Sequence, residues 1–337
     1  MLDAANAAVA RPAGSVDGLV ALASADMRGV NAIISARMQS PVSVIPALAD
    51  HLINAGGKRL RPLLTVACAR LARATDDSCL KLAAAVEFIH TATLLHDDVI
   101  DSSQLRRGKV AAHLIWGAPS SVLVGDYLFA RAFELMVEAG SLTALDILAK
   151  AAGVISEGEV LQLTRAHDLN LSQDVYLEII RAKTAELFAA AAEAGAVSAG
   201  ASDDMRRAMR SYGLSLGLAF QLVDDALDYG GTTEALGKNA GDDFREGKAT
   251  LPLLLAIART GAAEADFWER TIGRREQTDE DFRRARDLIL RTGAAEATLD
   301  LAHQFAEEAK AALVKTDANA WRAALEDLAD FAVSRRT

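Results

Sequence analysis

The residues best suited to chemistry are two groups of aspartates that share one spacing. Each group has the pattern Asp-Asp-x-x-Asp and ends an apolar stretch; the six residues are Asp97, Asp98, Asp101, Asp224, Asp225 and Asp228. On a helix of about 3.6 residues per turn, the first and third aspartates lie one turn apart on one face, roughly 6 Å along the axis. Two carboxylates so placed can bind a hard cation, although a solvated helix end can carry the same sequence.

The second copy of the pattern favours the cation site. Six carboxylates that faced one another across a cavity would repel each other unless cations lay between them. Magnesium resolves that conflict, since it prefers oxygen ligands and binds one or two carboxylates together with substrate phosphates. Arg106 and Arg107 follow Asp101 closely, and guanidinium groups form rigid, charged forks that suit phosphate oxygens. Aspartates followed by paired arginines therefore predict a metal and a diphosphate.

These motifs, with others in the same order, make the sequence similar to the all-trans polyprenyl (isoprenyl) diphosphate synthases over most of the chain. Beside the aspartates, the resemblance rests on Gly56 to Pro62, Arg106-Arg107-Gly108, Ser121 to Asp126, Gly158-Glu159 with Gln162, Lys183-Thr184 and Glu246 to Pro252. One loop departs from the family, which commonly has Pro-Thr-Ala-Asn where this chain has Val110-Ala111-Ala112-His113.

The resemblance implies a magnesium-dependent prenyltransferase that joins isopentenyl diphosphate head to tail to an allylic diphosphate primer. It implies Mg²⁺ ligands at Asp97, Asp101 and Asp224, with three ions in each active site. It assigns catalysis to both aspartate motifs together with Lys183 and Lys248, which would stabilise charge on the departing diphosphate. No side chain needs to act as a strong nucleophile.

The resemblance also distributes the two substrates. Isopentenyl diphosphate is expected at Lys58, Arg61, His90 and Arg107, and the allylic diphosphate at Arg106, Lys183, Thr184, Gln221, Lys238 and Lys248. From the residues alone, His90 lies two turns before Asp97 on one helix face and can point into the same cavity, although a lone histidine there can also be a packed core residue. Lys183 lies in an apolar helix, where it either extends to solvent or pairs with an acid.

Ala92 and Thr93 bear on product length. In the family, bulky aromatic residues at the corresponding positions close the pocket under the growing chain and give short products. Both residues are small here, so the resemblance predicts a long product, octaprenyl to decaprenyl, of the kind used for quinone side chains. The alternative is that Ala92 is simply a small residue at a helix contact.

Other functions are weighed against this one. A terpene cyclase would use similar aspartates but would not need the isopentenyl site implied by Gly56 to Pro62. A short-chain farnesyl or geranylgeranyl diphosphate synthase is the nearest alternative. A non-catalytic helical partner subunit would be expected to lack an aspartate motif or the Gly-Gly-Lys-Arg loop, and both are intact. Glu87 and His90 have the spacing of a di-iron ligand pair, but such a site requires two pairs.

Composition indicates the elements that must position these residues. Hydrophobic residues make up 51% of the 337 residues and only six are prolines, which favours helices throughout. Together with this composition, the family resemblance implies an all-α, single-domain bundle of about a dozen helices around a deep central cavity. The domain is expected to span 15–337 after a flexible tail at 1–14.

Helical periodicity places the first helix at Val16 to Met38 and the first aspartate motif on a helix from Cys79 to about Ser102. A helix capped by Ser172 or Asp174 is expected to run through Ala192 and to carry Lys183 and Thr184. The helix with the second aspartate motif is predicted at Asp204 to Asp228.

Charge, cysteines and hydropathy limit the partners. The net charge of −10 argues against a nucleic-acid partner. Cys68 and Cys79 have no metal-ligand spacing and suit buried thiols in a reducing compartment, so we expect a cytoplasmic protein. The longest uncharged windows do not reach the roughly 20 apolar residues of a transmembrane segment, so none is expected. The family implies a homodimer, and a long polyprenyl product would favour peripheral membrane association.

Overall fold

The structure is a computed structural model that describes residues 15–53, 59–106, 108–230 and 241–334, apart from the side chains of Ile53 and Asp279. Lys58, Arg107 and Lys238, and the tail at 1–14, lie outside the described residues. Within those residues the chain is almost entirely helical, which confirms the expected all-α class.

The first half of the described chain carries the first aspartate motif. Its helices are α1 (Asp17–Leu22), α2 (Ser24–Arg37), α3 (Val44–Ile53), α4 (Leu60–Leu71), α5 (Ser78–Ile100), α6 (Ala112–Trp116), α7 (Ala118–Glu138) and α8 (Leu142–Thr164). Directly after α5, the short strands β1 (Leu105–Arg106) and β2 (Lys109–Val110) pair antiparallel as a hairpin.

The second half carries the second motif. Its helices are α9 (Gln173–Ile180), α10 (Glu186–Ser198), α11 (Asp203–Gly230), α12 (Asp242–Glu246), α13 (Leu251–Thr260), α14 (Ala265–Trp268), α15 (Asp279–Arg291), α16 (Ala294–Leu313) and α17 (Ala320–Ser334). A π-helical turn (Arg181–Ala185) joins α9 to α10, a 3₁₀ turn (Gly261–Ala263) follows α13 and a second π-helical turn (Glu269–Gly273) follows α14.

The two helices that carry the aspartate motifs pack extensively against their neighbours. Helix α5 packs most extensively against α7, and α11 packs against α16 and α10. Phe88 on α5 and Tyr212 on α11 are fully buried, and the Tyr212 hydroxyl donates to the Leu325 carbonyl at 2.7 Å. Since each large buried apolar side chain stabilises the fold by roughly 1.5–3 kcal/mol, both motifs end rigid, well-packed helices.

Among the described helices, α5 alone is long and apolar enough to cross a membrane by length and composition. However, 72% of its most apolar window is buried inside the molecule, as is typical of a core helix. Helix α5 contains no unbroken uncharged run of about 20 residues, because Glu87 and His90 interrupt it.

Two helices differ from those that helical periodicity predicts. The predicted helix from Val16 to Met38 is divided at Ala23, although the Ala23 amide still donates to the Leu19 carbonyl at 3.0 Å. The helix that starts after Ser172 contains the π-helical turn and continues to Ser198, six residues further than predicted from Ala192. Ser172 is its cap, since its hydroxyl accepts from the Val175 amide at 3.3 Å.

Candidate active site

A cavity of about 340 Å³ lies between the end of α5, α8, α9, α11 and the segment before α13. Its wall includes one aspartate from each motif, Asp101 and Asp225, and both of the expected catalytic lysines, Lys183 and Lys248. The fold therefore brings the two distant motifs to one site, as the repeated spacing predicts.

The first motif keeps helical geometry through its last residue. The Asp101 amide donates to the Asp97 carbonyl at 2.8 Å, so these two aspartates lie one turn apart. Asp98 is fully buried, and its Oδ1 accepts from Arg106 Nε at 2.8 Å. Arg106, which was expected at the allylic diphosphate, thus ties the hairpin to α5.

Lys183 joins the first motif to α8. Its ammonium lies 2.8 Å from Glu159 Oε2 and 3.9 Å from Asp97 Oδ2, so two carboxylates share one positive charge. This contact settles the alternative that the sequence left open, because Lys183 is paired. Burial raises the pKa of Asp97 to about 7; the Lys183 ammonium opposes that rise and the Glu159 carboxylate adds to it.

Lys248 makes the corresponding contact from the second half of the chain. Its Nζ lies 2.8 Å from Asp101 Oδ2 and 2.5 Å from Glu246 Oε2. Although burial would raise it, the pKa of Asp101 is lowered because the Lys248 ammonium lies beside it. Burial likewise opposes the charge on Lys248, but the surrounding carboxylates raise the pKa of this lysine. Neighbouring carboxyls of one motif therefore have pKa values shifted in opposite directions.

Lys183 and Thr184 lie in the π-helical turn Arg181–Ala185, which packs against Gly158 of α8. A Cβ at Gly158 would lie 2.7 Å from the Ala182 Cβ and 3.0 Å from the Lys183 amide nitrogen. A glycine is therefore needed for α8 to approach this closely, and the next residue, Glu159, can then reach Lys183. Single π-helical turns inside α-helices occur frequently at functional sites.

The second motif is connected to the same turn by side-chain hydrogen bonds. The Thr184 hydroxyl donates to Gln221 Oε1 at 2.8 Å, and Gln221 Nε2 donates to Asp225 Oδ1 at 2.7 Å. Asp225 Oδ2 accepts from the Tyr176 hydroxyl at 2.5 Å. The chain from Thr184 to Tyr176 fixes the orientation of the Asp225 carboxylate in the cavity wall.

The other two aspartates of the second motif have different surroundings. Asp224 is partly buried on α11. Asp228 is fully buried, and its Oδ2 accepts from the Asp243 amide at 3.1 Å, which fixes the start of α12 to the end of α11. Asp225 is thus the member of this motif that lines the described cavity.

Two of the residues expected to bind isopentenyl diphosphate are in contact. Arg61 Nη1 lies 3.1 Å from His90 Nε2, and because a guanidinium can only donate, His90 Nε2 accepts. The Arg61 guanidinium also stacks 4.4 Å from the centre of the Phe188 ring. His90 is therefore turned towards a cationic partner, but neither residue lines the described cavity, so the cavity-facing alternative stays a prediction.

Ala92 and Thr93 lie on α5, before the first aspartate of the motif in sequence. Ala92 is fully buried in the hydrophobic core, and Thr93 is partly buried with its hydroxyl donating to the His90 carbonyl at 2.8 Å. Neither residue lines the described cavity, so a tunnel that passes them stays a prediction.

The carboxylates around the cavity fit a hard divalent cation. No group of three or more His, Cys, Asp or Glu side chains in the described part of the chain is already arranged as a metal site. Instead, Asp97 and Asp101 lie beside the ammonium groups of Lys183 and Lys248, which places positive charge where a cation would sit. Glu159 Oε1 is buried nearby without a hydrogen-bond partner. Oxygen ligands of this kind are those that magnesium prefers.

Sequence reasoning missed several residues of this site. Tyr176, which binds Asp225, lies seven residues before Lys183 and thus two turns away on the same helix face, a signal that could have been used. His167 and Arg275 also line the cavity, but they lie in connecting segments where no periodicity indicates which way they face. Glu159 belongs to a motif that carries the family resemblance, but its pairing with Lys183 was not expected.

Comparison with known proteins places this arrangement in a family. A family model described as polyprenyl synthetase matches residues 42–289. The chain is 42% identical over 314 residues to the octaprenyl diphosphate synthase of Escherichia coli K12, a match that covers 93% of this chain and 97% of that protein.

Solved structures agree with this relationship. The chain is similar to a polyprenyl synthase from Caulobacter crescentus complexed with calcium and isoprenyl diphosphate, with 75% identity, a TM-score of 0.95 and coverage of 97% of this chain and 100% of the other. It is also similar to a decaprenyl diphosphate synthase from Rhodobacter capsulatus, with 49% identity, a TM-score of 0.90 and coverage of 96% and 100% respectively.

Proposed function

Because the chain belongs to the polyprenyl synthetase family, we propose that it is a long-chain all-trans polyprenyl diphosphate synthase. The observation that carries the proposal is the convergence of Asp101, Asp225, Lys183 and Lys248 on one cavity. Carboxylates that hold cations, beside ammonium groups that bind phosphate, are what departure of a diphosphate requires. The similarity to enzymes named for octaprenyl and decaprenyl products supports the long chain.

We propose magnesium as the cofactor, held by Asp97, Asp101 and Asp224, with three ions in each site. Bound there, it would neutralise diphosphate charge and so assist departure of the leaving group. Asp97 and Asp101 suit this role because they already lie beside cationic side chains. The relative from Caulobacter crescentus was solved with calcium, another divalent cation that binds oxygen ligands.

The allylic diphosphate is proposed to lie between the two lysines. Lys183 reaches the cavity from the π-helical turn and Lys248 from the segment before α13, and both would bind the phosphates as negative charge develops. Thr184 and Gln221 add polar groups from the same hydrogen-bonded chain. Arg106 would contribute from the hairpin, and Lys238, outside the described residues, belongs to the same proposed set.

Isopentenyl diphosphate is proposed to bind at Arg61 and His90, with Lys58 and Arg107 from outside the described residues. The bound diphosphate would hold the isopentenyl double bond against the allylic carbon that loses its own diphosphate. A new carbon–carbon bond forms, and a proton leaves the isopentenyl unit to regenerate an allylic diphosphate one unit longer. The released diphosphate is the proposed base.

Product sizing tests this function. Purified protein incubated with isopentenyl diphosphate, Mg²⁺ and an allylic primer is expected to give octaprenyl to decaprenyl diphosphate, identified by chromatography after dephosphorylation. Farnesyl or geranylgeranyl products would instead identify a short-chain synthase. Absence of any elongation would support a non-catalytic partner subunit.

We also propose a cytoplasmic homodimer that supplies a quinone side chain and associates peripherally with a membrane when it releases its lipid product. Large apolar side chains on α7 and at the start of α8 support the dimer, because they are exposed in the single chain; they are Leu123, Phe133, Val137 and Leu142. Light scattering during gel filtration measures the mass. A monomeric mass at micromolar concentration would contradict the dimer.

A further inference from the structure

His167 lies three residues after the end of α8 and lines the cavity wall. Its Nδ1 is 3.2 Å from the Gly247 carbonyl oxygen. Since a carbonyl can only accept, the hydrogen bond requires the proton on Nδ1. No motif that carries the family resemblance includes this residue.

The Gly247 carbonyl belongs to the peptide group that contains the Lys248 nitrogen. On the other side of that peptide group, the Lys248 amide donates to the Asp243 carbonyl at 2.8 Å. The orientation of the peptide group is therefore fixed by two hydrogen bonds, one of which comes from His167. The Lys248 Cα is bonded to the nitrogen of this peptide group and bears the side chain whose ammonium lies 2.8 Å from Asp101 Oδ2.

The contact between His167 and Gly247 is close, and both residues have left-handed backbone. Gly247 is buried at a φ of 70°, and a Cβ built there would lie 2.5 Å from His167 Nδ1. His167 itself has a φ of 67°, a conformation that few residues other than glycine, asparagine, aspartate and histidine adopt. Such backbone conformations persist where surrounding contacts hold them, and they cluster at functional sites.

A second connecting segment reaches the same glycine. Arg275 has a φ of 57°, and its Cγ lies 3.6 Å from the position of a Gly247 Cβ. Two non-glycine residues with left-handed backbone therefore meet at the residue before Lys248. This convergence is local to the cavity mouth, because both side chains also line the cavity.

We propose that His167 is a positioning residue that holds the Gly247–Lys248 peptide group and thereby places the Lys248 ammonium for the allylic diphosphate. The assignment rests on the proposed function, since it presumes that Lys248 binds that substrate. It also gives α8 a double role. Glu159 within α8 holds Lys183, and His167 just beyond α8 holds Lys248, so one element sets the distance between the two lysines.

Three variants separate the hydrogen bond from the backbone conformation. His167→Asn keeps both a residue that tolerates positive φ and an amide donor, whereas His167→Gly keeps the backbone and removes the donor. Arg73→Gly is the matched control, because Arg73 also has a positive φ, of 66°, and its side chain is exposed and pairs with Asp317. Each variant is assayed for KM of both substrates and for binding of a non-reacting allylic thiolodiphosphate by calorimetry with Mg²⁺.

His167→Gly is expected to raise the KM of the allylic substrate and to weaken thiolodiphosphate binding, each by about three- to tenfold, which is the effect of one lost hydrogen bond. The KM for isopentenyl diphosphate should change less than twofold, His167→Asn should restore allylic binding, and Arg73→Gly should behave as wild type. Equal changes for both substrates, an unchanged allylic KM, or failure of His167→Asn to restore binding would overturn the assignment. If the wild-type protein shows no prenyl transfer, the proposed function itself is overturned. That result is distinguishable from the variant results, which test only the role of His167.

Discussion

Lys248 Nζ lies 2.8 Å from Asp101 Oδ2, so a lysine from the segment before α13 is ion-paired with the last residue of the first aspartate motif. The two residues come from opposite halves of the chain. Their contact, with the pairing of Lys183 to Glu159, places two ammonium groups beside the carboxylates of one cavity. The cavity is thus arranged to bind anions and cations side by side.

Lys248→Ala should lower turnover by about 10²- to 10³-fold, the loss found when one preorganised charge-stabilising group is removed. The reason is that the ammonium would face the charge that develops on the departing diphosphate. Steady-state kinetics with varied allylic primer measure the effect. Lys310→Ala is the control, since Lys310 pairs with Asp330 and does not line the cavity. Equal losses in both variants would contradict a specific role for Lys248.

Asp97→Asn and Asp224→Asn should each lower turnover by at least about a hundredfold, because both residues are proposed to hold the metal that supports diphosphate departure. The fold should survive, as circular dichroism would show. Asp300→Asn is the control, because Asp300 is exposed on α16. Retained activity of either motif variant at saturating Mg²⁺, or of wild type in excess chelator, would refute the metal assignment.

Magnesium should stabilise the protein more at pH 8 than at pH 6. Burial raises the pKa of Asp97 to about 7 in the metal-free protein, so at pH 6 a metal must displace a proton from this carboxyl. Without metal, the pH dependence of stability has the opposite sign. A carboxyl whose pKa is raised in the folded state contributes stability at low pH, and this stability is lost as the pH rises through about 7. Thermal unfolding with and without Mg²⁺ across this range measures both. An Mg²⁺-induced Tm shift independent of pH would contradict the role of Asp97.

Gly158→Ala should reduce both stability and activity, because its methyl group would press on Ala182 and the Lys183 amide in the π-helical turn. Overpacking of this kind costs roughly 1–3 kcal/mol. Gly153→Ala is the matched control on the same helix, since a Cβ there has nothing within 4 Å. It should instead stabilise α8 by up to about 1 kcal/mol. Chemical denaturation and kinetics of both variants decide whether the approach of α8 matters for Lys183.

The aspartate motifs were predictable because their geometry is local. A spacing of four residues on a helix places Asp97 and Asp101 on one face whatever the rest of the chain does, and the structure has them one turn apart. Helical class followed from composition in the same way. The convergence of the two motifs was predictable only from the repeated spacing together with the family resemblance, because nothing local brings the two segments together.

The partners of the lysines were not predictable, because they depend on how distant helices meet. Glu159 reaches Lys183 only because Gly158 lets α8 pack closely against the π-helical turn. Periodicity predicts one regular helix in this region, and nothing local in the sequence indicates the extra residue of the turn. His167 lies in a connecting segment, where the backbone conformation is set by contacts with Gly247.

If the growing chain passes position 92, Ala92→Phe should shorten the product to three or four isoprene units, which is farnesyl or geranylgeranyl diphosphate. Ala92 is fully buried on α5, so a ring placed there either fills a tunnel or overpacks the core. The two cases differ in stability, since overpacking costs roughly 1–3 kcal/mol whereas a ring that enters open space costs little. Ala329→Phe is the control, because Ala329 is equally buried on α17 and its substitution should destabilise the fold without changing product length. Chromatographic sizing together with thermal unfolding gives both quantities. A stable Ala92→Phe protein that still makes the wild-type product would place the floor of the tunnel elsewhere.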